Sequence, residues 1–320
     1  MRIESVAIVH PLKSGGLDTA VDRLARWAHA AGVSTPHVVA TTADSPGTVQ
    51  ARTAVASGAD LVLAWGGDGT VRSVAEGLQG TGVPLGIIPA GTGNLLARNL
   101  GIPLSIGDAG AVAFGGADRQ VDVVEIGLGG LVTTSTVIAG IGLDAVLIDA
   151  SEGLKDAIGP TAYVLNTVRA ARQRPMRVGV AVDGGEPHWF SARSVLVANV
   201  GGLVGGLDVV PESDASDGML HVIVLPLTRP IDWVRTGARL ALRRAVHDNS
   251  RFHMQGSTAW VVASEDQPRQ VDGDVVAPGR TIQARVRPGA VVVRVPAGSW
   301  PRGHREQAPE VRGGRTTPRP

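Results

Sequence analysis

The chain has 320 residues, of which 43% are hydrophobic and 18% are charged, with a formal net charge of +1 at pH 7. This length favours two domains over one, and the near-neutral charge argues against nucleic acid as a partner, because non-specific binding to it requires clustered cationic contacts. The sequence has no cysteine, which excludes disulfides, thiolate zinc sites and cysteine nucleophiles.

The first 126 residues alternate predicted strands with predicted helices. We expect strands at residues 6–9, 37–40, 61–65 and 85–88, and helices at residues 17–31, after Pro46, from Val71 and at residues 95–100. One face of the first helix carries Leu17, Val21, Leu24 and Ala28. This alternation predicts a doubly wound parallel sheet with helices on both faces, whose ligands bind at the carboxyl ends of the strands. We assign this α/β domain to residues 1–121.

Two glycine-rich turns follow the third and fourth predicted strands. The first glycine turn comprises Gly66, Gly67, Asp68, Gly69 and Thr70, and the second glycine turn (residues 89–94) contains Gly91, Thr92, Gly93 and Asn94. Glycines let backbone N–H groups approach an anion, and the N-terminus of the following helix adds its positive dipole end. Neither the P-loop nor the Rossmann pattern is present. A single turn is also explained by chain geometry alone, but the pair predicts a polyphosphate-binding site.

From about Val121 the sequence changes to valine-rich segments that predict strands. They lie at residues 177–182, 194–200, 220–225, 258–262, 281–286 and 291–295, and a hairpin turn is expected at Asp183, Gly184 and Gly185. We interpret residues 122–297 as an antiparallel β-sandwich domain that carries two helices, at residues 154–174 and 231–247. Residues 298–320 are rich in proline, glycine and arginine and predict a disordered basic tail.

Three groups of acidic residues are candidates for chemistry. Asp68 would repel a nucleotide unless it holds a metal, a ligand hydroxyl or a proton; alternatively, it caps the next helix. Asp272 and Asp274 are two residues apart, so they can share a cation or a proton, although Asp-Gly-Asp is also an ordinary turn. Asp214 and Asp217 can offer oxygens to a hard cation, or lie in a plain turn.

The two glycine turns, followed by residues 214–219 and 271–274, closely resemble the motifs of the diacylglycerol kinase and sphingosine kinase catalytic-domain family of bacterial soluble lipid kinases. The resemblance extends from the first strand to Val295. The first glycine turn also occurs in NAD kinases, whereas the second favours the lipid kinases. The fold implied is a nucleotide-binding α/β domain followed by a β-rich domain.

The resemblance implies ATP and Mg²⁺ as cofactors. Nucleotide contacts are expected at both glycine turns and at His10, Pro11, Lys13, Ser14, Gly15 and Thr42. The resemblance places magnesium on the side chain of Asp217 and the carbonyl groups of Asp214 and Met219. It makes Asp274 the acceptor of the substrate proton, and we count Asp272 and Asp68 with it as catalytic candidates.

The sequence departs from the family pattern at three places. The family usually has Asn-Glu where this chain has Arg72 and Ser73, so a role of that Glu cannot be transferred. His10 and Pro11 stand where the family has Asn-Pro. Asp274 replaces a more usual Glu, and its shorter side chain must still reach the acceptor hydroxyl.

These features predict an ATP-dependent kinase that phosphorylates the hydroxyl group of a lipid, such as diacylglycerol, to give phosphatidic acid. A NAD kinase and a non-catalytic nucleotide or lipid sensor are the alternatives. We expect a cytoplasmic protein that meets lipid at the inner membrane surface, because no signal-peptide pattern follows Met1 and the apolar window at residues 131–148 is interrupted by glycines and Asp144. The sequence leaves open which lipid is phosphorylated and whether two copies form a homodimer.

Overall fold

The structure is a computed structural model that describes residues 4–142, 175–202, 210, 213–226 and 252–298. Its first half alternates strands and helices, and its second half consists, within these residues, of strands. The predicted fold class, an α/β domain with a parallel sheet followed by a sandwich-like β domain, is confirmed.

The α/β half contains five helices and four parallel strands within the described residues. The helices are α1 (Leu17–Ala30), α2 (Thr48–Ala56), α3 (Asp68–Leu78), α4 (Leu95–Asn99) and α5 (Ile106–Gly115), and the strands are β1 (Ser5–Val9), β2 (His37–Ala40), β3 (Leu61–Gly66) and β4 (Leu85–Pro89). The strands pair in the order β2-β1-β3-β4, all in parallel. Their carboxyl ends therefore meet at one edge, where ligands of such sheets bind.

Helix α1 buries a different stripe from the one that the sequence pattern predicts. Ala20, Leu24 and Ala28 are buried, whereas Leu17 and Val21 are 38% and 41% exposed. The buried residues are four apart and form one row along the helix, which packs against the core of the sheet. Of the four residues on the apolar face that the sequence indicates, Leu24 and Ala28 are therefore buried and Leu17 and Val21 are not.

The second half begins with β5, which crosses the predicted domain boundary. The strands are β5 (Ala117–Gly127), β6 (Val132–Ser135), β7 (Ile138–Gly142), β8 (Met176–Val182), β9 (His188–Ala192), β10 (Ser194–Ala198), β11 (Leu220–Leu225), β12 (Phe252–Gly256), β13 (Thr258–Val271) and β14 (Asp274–Val295). Every pairing between these strands is antiparallel. The domain limits at residues 121 and 297 stay a prediction.

Strand β14 is longer than the sequence pattern indicates. The predicted strands at residues 281–286 and 291–295 are parts of one strand of 22 residues, which is irregular between Arg287 and Val291. The strand starts at a tight turn in which Asp272 and Gly273 have φ angles of 49° and 91°. Near its end it pairs in parallel with β4, through Val293 and Leu85. The antiparallel half is thus joined to the parallel sheet by hydrogen bonds.

Several predictions concern residues outside the described parts of the chain. They are the helices at residues 154–174 and 231–247 and, except for Gly298, the disordered tail. Among the helices that the structure describes, none has both the length and the apolarity needed to cross a bilayer.

Candidate active site

The two glycine turns contact each other at the carboxyl edge of the parallel sheet. Gly66 and Pro89 are register partners on β3 and β4, and the N–H of Ala90 donates to the carbonyl of Gly66 at 2.8 Å. A Cβ atom added to Gly91 would lie 2.7 Å from the Cα of Gly67, closer than real Cβ atoms approach. Glycine at residue 91 therefore allows the two turns to touch, as the polyphosphate prediction requires.

Asp68 holds the second glycine turn. Its Oδ2 accepts a hydrogen bond from the N–H of Asn94 at 2.8 Å, and its Oδ1 accepts one from the N–H of Leu95 at 2.6 Å. Burial raises the pKa of Asp68, and these two hydrogen bonds oppose part of that rise. The sequence suggested that Asp68 caps the helix after it, but the carboxylate binds the start of α4 instead. Its catalytic role stays a prediction.

The side chain of Asn94 closes the second glycine turn. Its Oδ1 accepts from the N–H of Gly91 at 2.9 Å, and its Nδ2 donates to the carbonyl of Gly91 at 2.8 Å. Asn94 adopts a φ of 49°, in the left-handed region that Asn tolerates better than most residues. The backbone of this turn is therefore fixed by its own side chain and by Asp68.

The first glycine turn opens helix α3 with its amides available for an anion. The first hydrogen bond of the helix runs from the N–H of Val71 to the carbonyl of Gly67, at 3.0 Å. The amides of Gly69 and Thr70 precede it in the first turn, where an α-helix offers its N–H groups no acceptor. These are donors of the kind that bind phosphate.

Lys13 supplies positive charge beside both glycine turns. A Cβ atom added to Gly67 would lie 2.7 Å from the Lys13 Nζ and 3.3 Å from the Cα of Gly91. The loop that carries Lys13 follows β1, and its first residue, His10, donates its N–H to the carbonyl of Trp65 at 2.9 Å. The structure thus brings the predicted nucleotide-binding segment at residues 10–15 to the glycine turns.

Two more predicted nucleotide-binding residues lie at this edge of the sheet. Ser14 is buried, and its hydroxyl donates to the carbonyl of Pro11 at 3.0 Å, which stabilises the loop after β1. Thr42 lies just beyond β2, and its hydroxyl accepts from the N–H of Ser45 at 3.1 Å. Both hydroxyls have intramolecular partners, and their contacts with nucleotide stay predictions.

Asp272 and Asp274 occupy different environments at the tip of the β13–β14 hairpin. Asp272 is buried, and its carboxylate accepts hydrogen bonds at 2.7–3.0 Å from Ser135 Oγ, from Thr136 N and Oγ1, from Val137 N and from Ile138 N. It fixes the chain between β6 and β7. Its catalytic role stays a prediction.

The Asp274 carboxylate lies beside the first glycine turn. Its Oδ2 is 2.6 Å from a guanidinium nitrogen of Arg72, and a Cβ atom added to Gly69 would lie 3.3 Å from the same oxygen. The Asp274 side chain is 51% exposed, so a substrate can approach it. The structure therefore places a carboxylate next to the amides that would hold a phosphate.

The predicted metal-binding residues lie in a second cluster, at residues 214–219. The Asp217 carboxylate accepts from the N–H of Met219 at 2.8 Å and from the N–H of Asp214 at 3.1 Å, and His221 Nε2 lies 3.6 Å from it. Burial would raise the pKa of Asp217, but His221 and the two amides outweigh that effect and lower it. Asp214 forms an ion pair with Arg119.

Asp122 belongs to this second cluster and was missed in the sequence. Its carboxylate accepts from the N–H of Gly218 at 2.6 Å and from the N–H of Gly289 at 2.7 Å. Burial, followed by the charges of Asp217 and Asp214, raises its pKa, while the two amides oppose the rise. An acid placed between two valines, Val121 and Val123, is the signal that could have indicated it.

Comparison with known proteins gives matches to both halves of the chain. The diacylglycerol kinase catalytic domain family matches residues 5–126. The YegS C-terminal NAD kinase beta sandwich-like domain family matches residues 136–295.

Individual relatives agree with these matches. A Pseudomonas syringae pv. syringae protein described as "Probable lipid kinase YegS-like" is 30% identical over 251 residues, which cover 77% of this chain and 79% of the relative. A Mycobacterium tuberculosis diacylglycerol kinase is 32% identical over 53% of this chain, and the match spans 56% of that enzyme. The match to a Synechocystis relative spans 51% of its length.

A solved structure is also similar to this chain. A diacylglycerol kinase from Bacillus anthracis strain Sterne aligns with a TM-score of 0.74 at 25% identity, and the alignment covers 92% of this chain and 98% of that one.

Replacing Gly91 with alanine should destabilise the fold. The new Cβ would clash with the Gly67 backbone, and overpacking of this kind costs about 1–3 kcal/mol. Gly107→Ala is the matched control, because a Cβ added there meets nothing within 4 Å. Urea unfolding should show the loss for Gly91→Ala alone; equal effects of both variants would contradict the packing of the two turns.

Replacing Asp217 with asparagine should make the free energy of unfolding less dependent on pH. Because the pKa of Asp217 is lowered below its ordinary value of 3.8, its stabilising effect is present above that value and is lost as the pH falls through the lowered pKa. The difference in unfolding free energy between wild type and Asp217→Asn should therefore shrink between pH 5 and pH 3. Asp44→Asn, which removes an exposed carboxylate, is the control. A constant difference across this range would contradict the assignment.

Proposed function

Because the chain belongs to the lipid kinase family with a diacylglycerol kinase catalytic domain and a YegS C-terminal domain, we propose that it transfers the γ-phosphate of ATP to the hydroxyl group of a membrane lipid. Diacylglycerol is the acceptor that we put forward, and phosphatidic acid is the product. The observation that carries the proposal is the contact between the two glycine turns, with a lysine ammonium group and a carboxylate beside them.

The phosphate groups would be held by the first-turn amides of α3 and by Lys13. Phosphoryl transfer needs mainly positioning and stabilisation of charge on the transferred group, and fixed N–H donors and a cation provide both. Asp68 and Asn94 contribute by keeping the second glycine turn in place. These hydrogen bonds and the contact between Gly67 and Gly91 fix the second glycine turn.

Asp274 would accept the proton of the lipid hydroxyl. A general base must lie within hydrogen-bond reach of the proton that it removes, and the position of the Asp274 carboxylate beside Gly69 supports this role. The lipid would be met from the surface of the cytoplasmic leaflet, where its hydroxyl group lies.

Magnesium is part of this proposal in two places. The residues at 214–219 offer the type of ligand that a hard cation prefers, because Asp217 and nearby carbonyl groups present oxygen atoms. Both Asp217 oxygens already accept one amide each, and no group of three His, Cys, Asp or Glu side chains with metal-binding geometry occurs among the described residues. Asp217 with the Asp214 and Met219 carbonyls would hold a structural ion, while magnesium bound with ATP would neutralise phosphate charge.

Incubation with γ-labelled ATP tests the proposal directly. Label should appear in a lipid extract or in purified diacylglycerol, and not in NAD. Label in NAD alone would identify a NAD kinase. A wild-type protein that binds nucleotide but labels neither acceptor would be a sensor.

Replacing Asp274 with asparagine should lower kcat by about 10²–10⁴-fold if Asp274 is the base, because the variant has no carboxylate to accept the proton. An unchanged kcat would exclude that role.

Replacing Lys13 with methionine should weaken nucleotide binding. Loss of a charged hydrogen-bonding group facing phosphate corresponds to about a tenfold or greater rise in the KM for ATP. The control is Arg52→Met, which removes a cation that pairs with Glu76 at 3.8 Å and is 64% exposed. Steady-state kinetics with varied ATP provide the measurement, and equal KM values for Lys13→Met and wild type would exclude the phosphate contact.

A further inference from the structure

Arg72 connects the first half of the chain to the hairpin that carries Asp274. It lies in α3, directly after the first glycine turn, and its side chain is 16% exposed. One guanidinium nitrogen donates to the carbonyl of Val271 at 2.6 Å, and another donates to Asp274 Oδ2 at 2.6 Å. The guanidinium thus binds both residues that flank the turn between β13 and β14.

This contact sets the position of the Asp274 carboxylate. Asp274 is 51% exposed, and a carboxylate at such a site would otherwise sample several rotamers. The planar guanidinium, whose donors have fixed directions, holds it beside Gly69. An ion pair with a partner this exposed adds little to stability, because solvent screens the attraction. Positioning is therefore the main physical consequence of the pair.

The contact joins two of the places where the sequence departs from the family pattern. Arg72 stands where the family usually has Asn, and Asp274 stands where a Glu is more usual. In the structure these two residues are direct partners. Ser73, which belongs to the same departure as Arg72, is buried and lies where α3 packs closely on the start of α2, near Gly47.

We infer that Arg72 is a positioning residue that holds the Asp274 carboxylate in place for proton transfer from the lipid hydroxyl. The inference rests on the proposed kinase activity. Arg72 binds Oδ2, and both carboxylate oxygens lie on the Gly69 side, 3.3 Å (Oδ2) and 4.0 Å (Oδ1) from a Cβ atom added to that glycine. Because Asp274 has one methylene group fewer than Glu, its carboxylate reaches less far, and the guanidinium fixes it in the place from which it must act.

Kinetics of Arg72→Met test this role. Misplacing a reacting group by about 1 Å can lower a rate by about 10²-fold, so we expect kcat to fall by about 10- to 100-fold. The KM for ATP should stay within about twofold, since Arg72 acts through Asp274 and not through phosphate. The thermal midpoint should stay close to that of wild type. Arg280→Met, which breaks the exposed pair with Asp266, is the matched control and should keep wild-type kinetics.

A second measurement uses Asp274→Glu, which keeps a carboxylate and therefore measurable turnover. If Arg72 acts through residue 274, Arg72→Met should lower kcat much less in the Asp274→Glu background than in wild type. The effects of substitutions at two coupled residues are not additive. Equal losses in both backgrounds, an unchanged kcat, or a rise in KM alone would overturn the inference. Absence of turnover in wild type would contradict the kinase proposal itself and this inference with it, whereas wild-type turnover unaffected by Arg72→Met would contradict the inference alone.

Discussion

The close approach of Gly67 and Gly91 is the constraint on which the candidate site depends. The two turns leave neighbouring parallel strands, and they touch because neither glycine carries a side chain at the contact. Asp68 then reaches across to the amides of Asn94 and Leu95, and this hydrogen bonding determines where the second turn lies. A phosphate-binding surface made of backbone amides needs such rigidity, because flexible amides would lose entropy on binding.

The second half of the chain contributes the groups that face this surface. Asp272 accepts five hydrogen bonds from the segment between β6 and β7, which fixes the hairpin tip and places Asp274 beside Gly69. The two acids of one short motif therefore lie in separate environments. The buried acid holds backbone, and the half-exposed acid remains accessible from solvent. Neighbouring positions in a sequence can thus differ in environment because their burial differs.

The fold class and both glycine turns could be predicted because their signals are local. Apolar strands followed by glycine turns and helices appear directly in the sequence order, and the structure places them as expected. The partners of Asp68, Asp122 and Arg72 could not be predicted, because they lie between 26 and 202 residues away in the sequence. The long β14 was divided in the prediction because the Arg-Pro-Gly sequence after Val286 reads as a turn, whereas the structure accommodates it as an irregularity within one strand.

Strand β14 also has a mechanical consequence for any motion of the two halves. It starts at Asp274, pairs along its length with β13 and β5, and reaches β4 near its end. A hinge that moved Asp274 relative to the carboxyl edge of the parallel sheet would have to break these pairings or bend the strand. The irregular stretch between Arg287 and Val291 is where that bending would require the fewest ladder bonds to break.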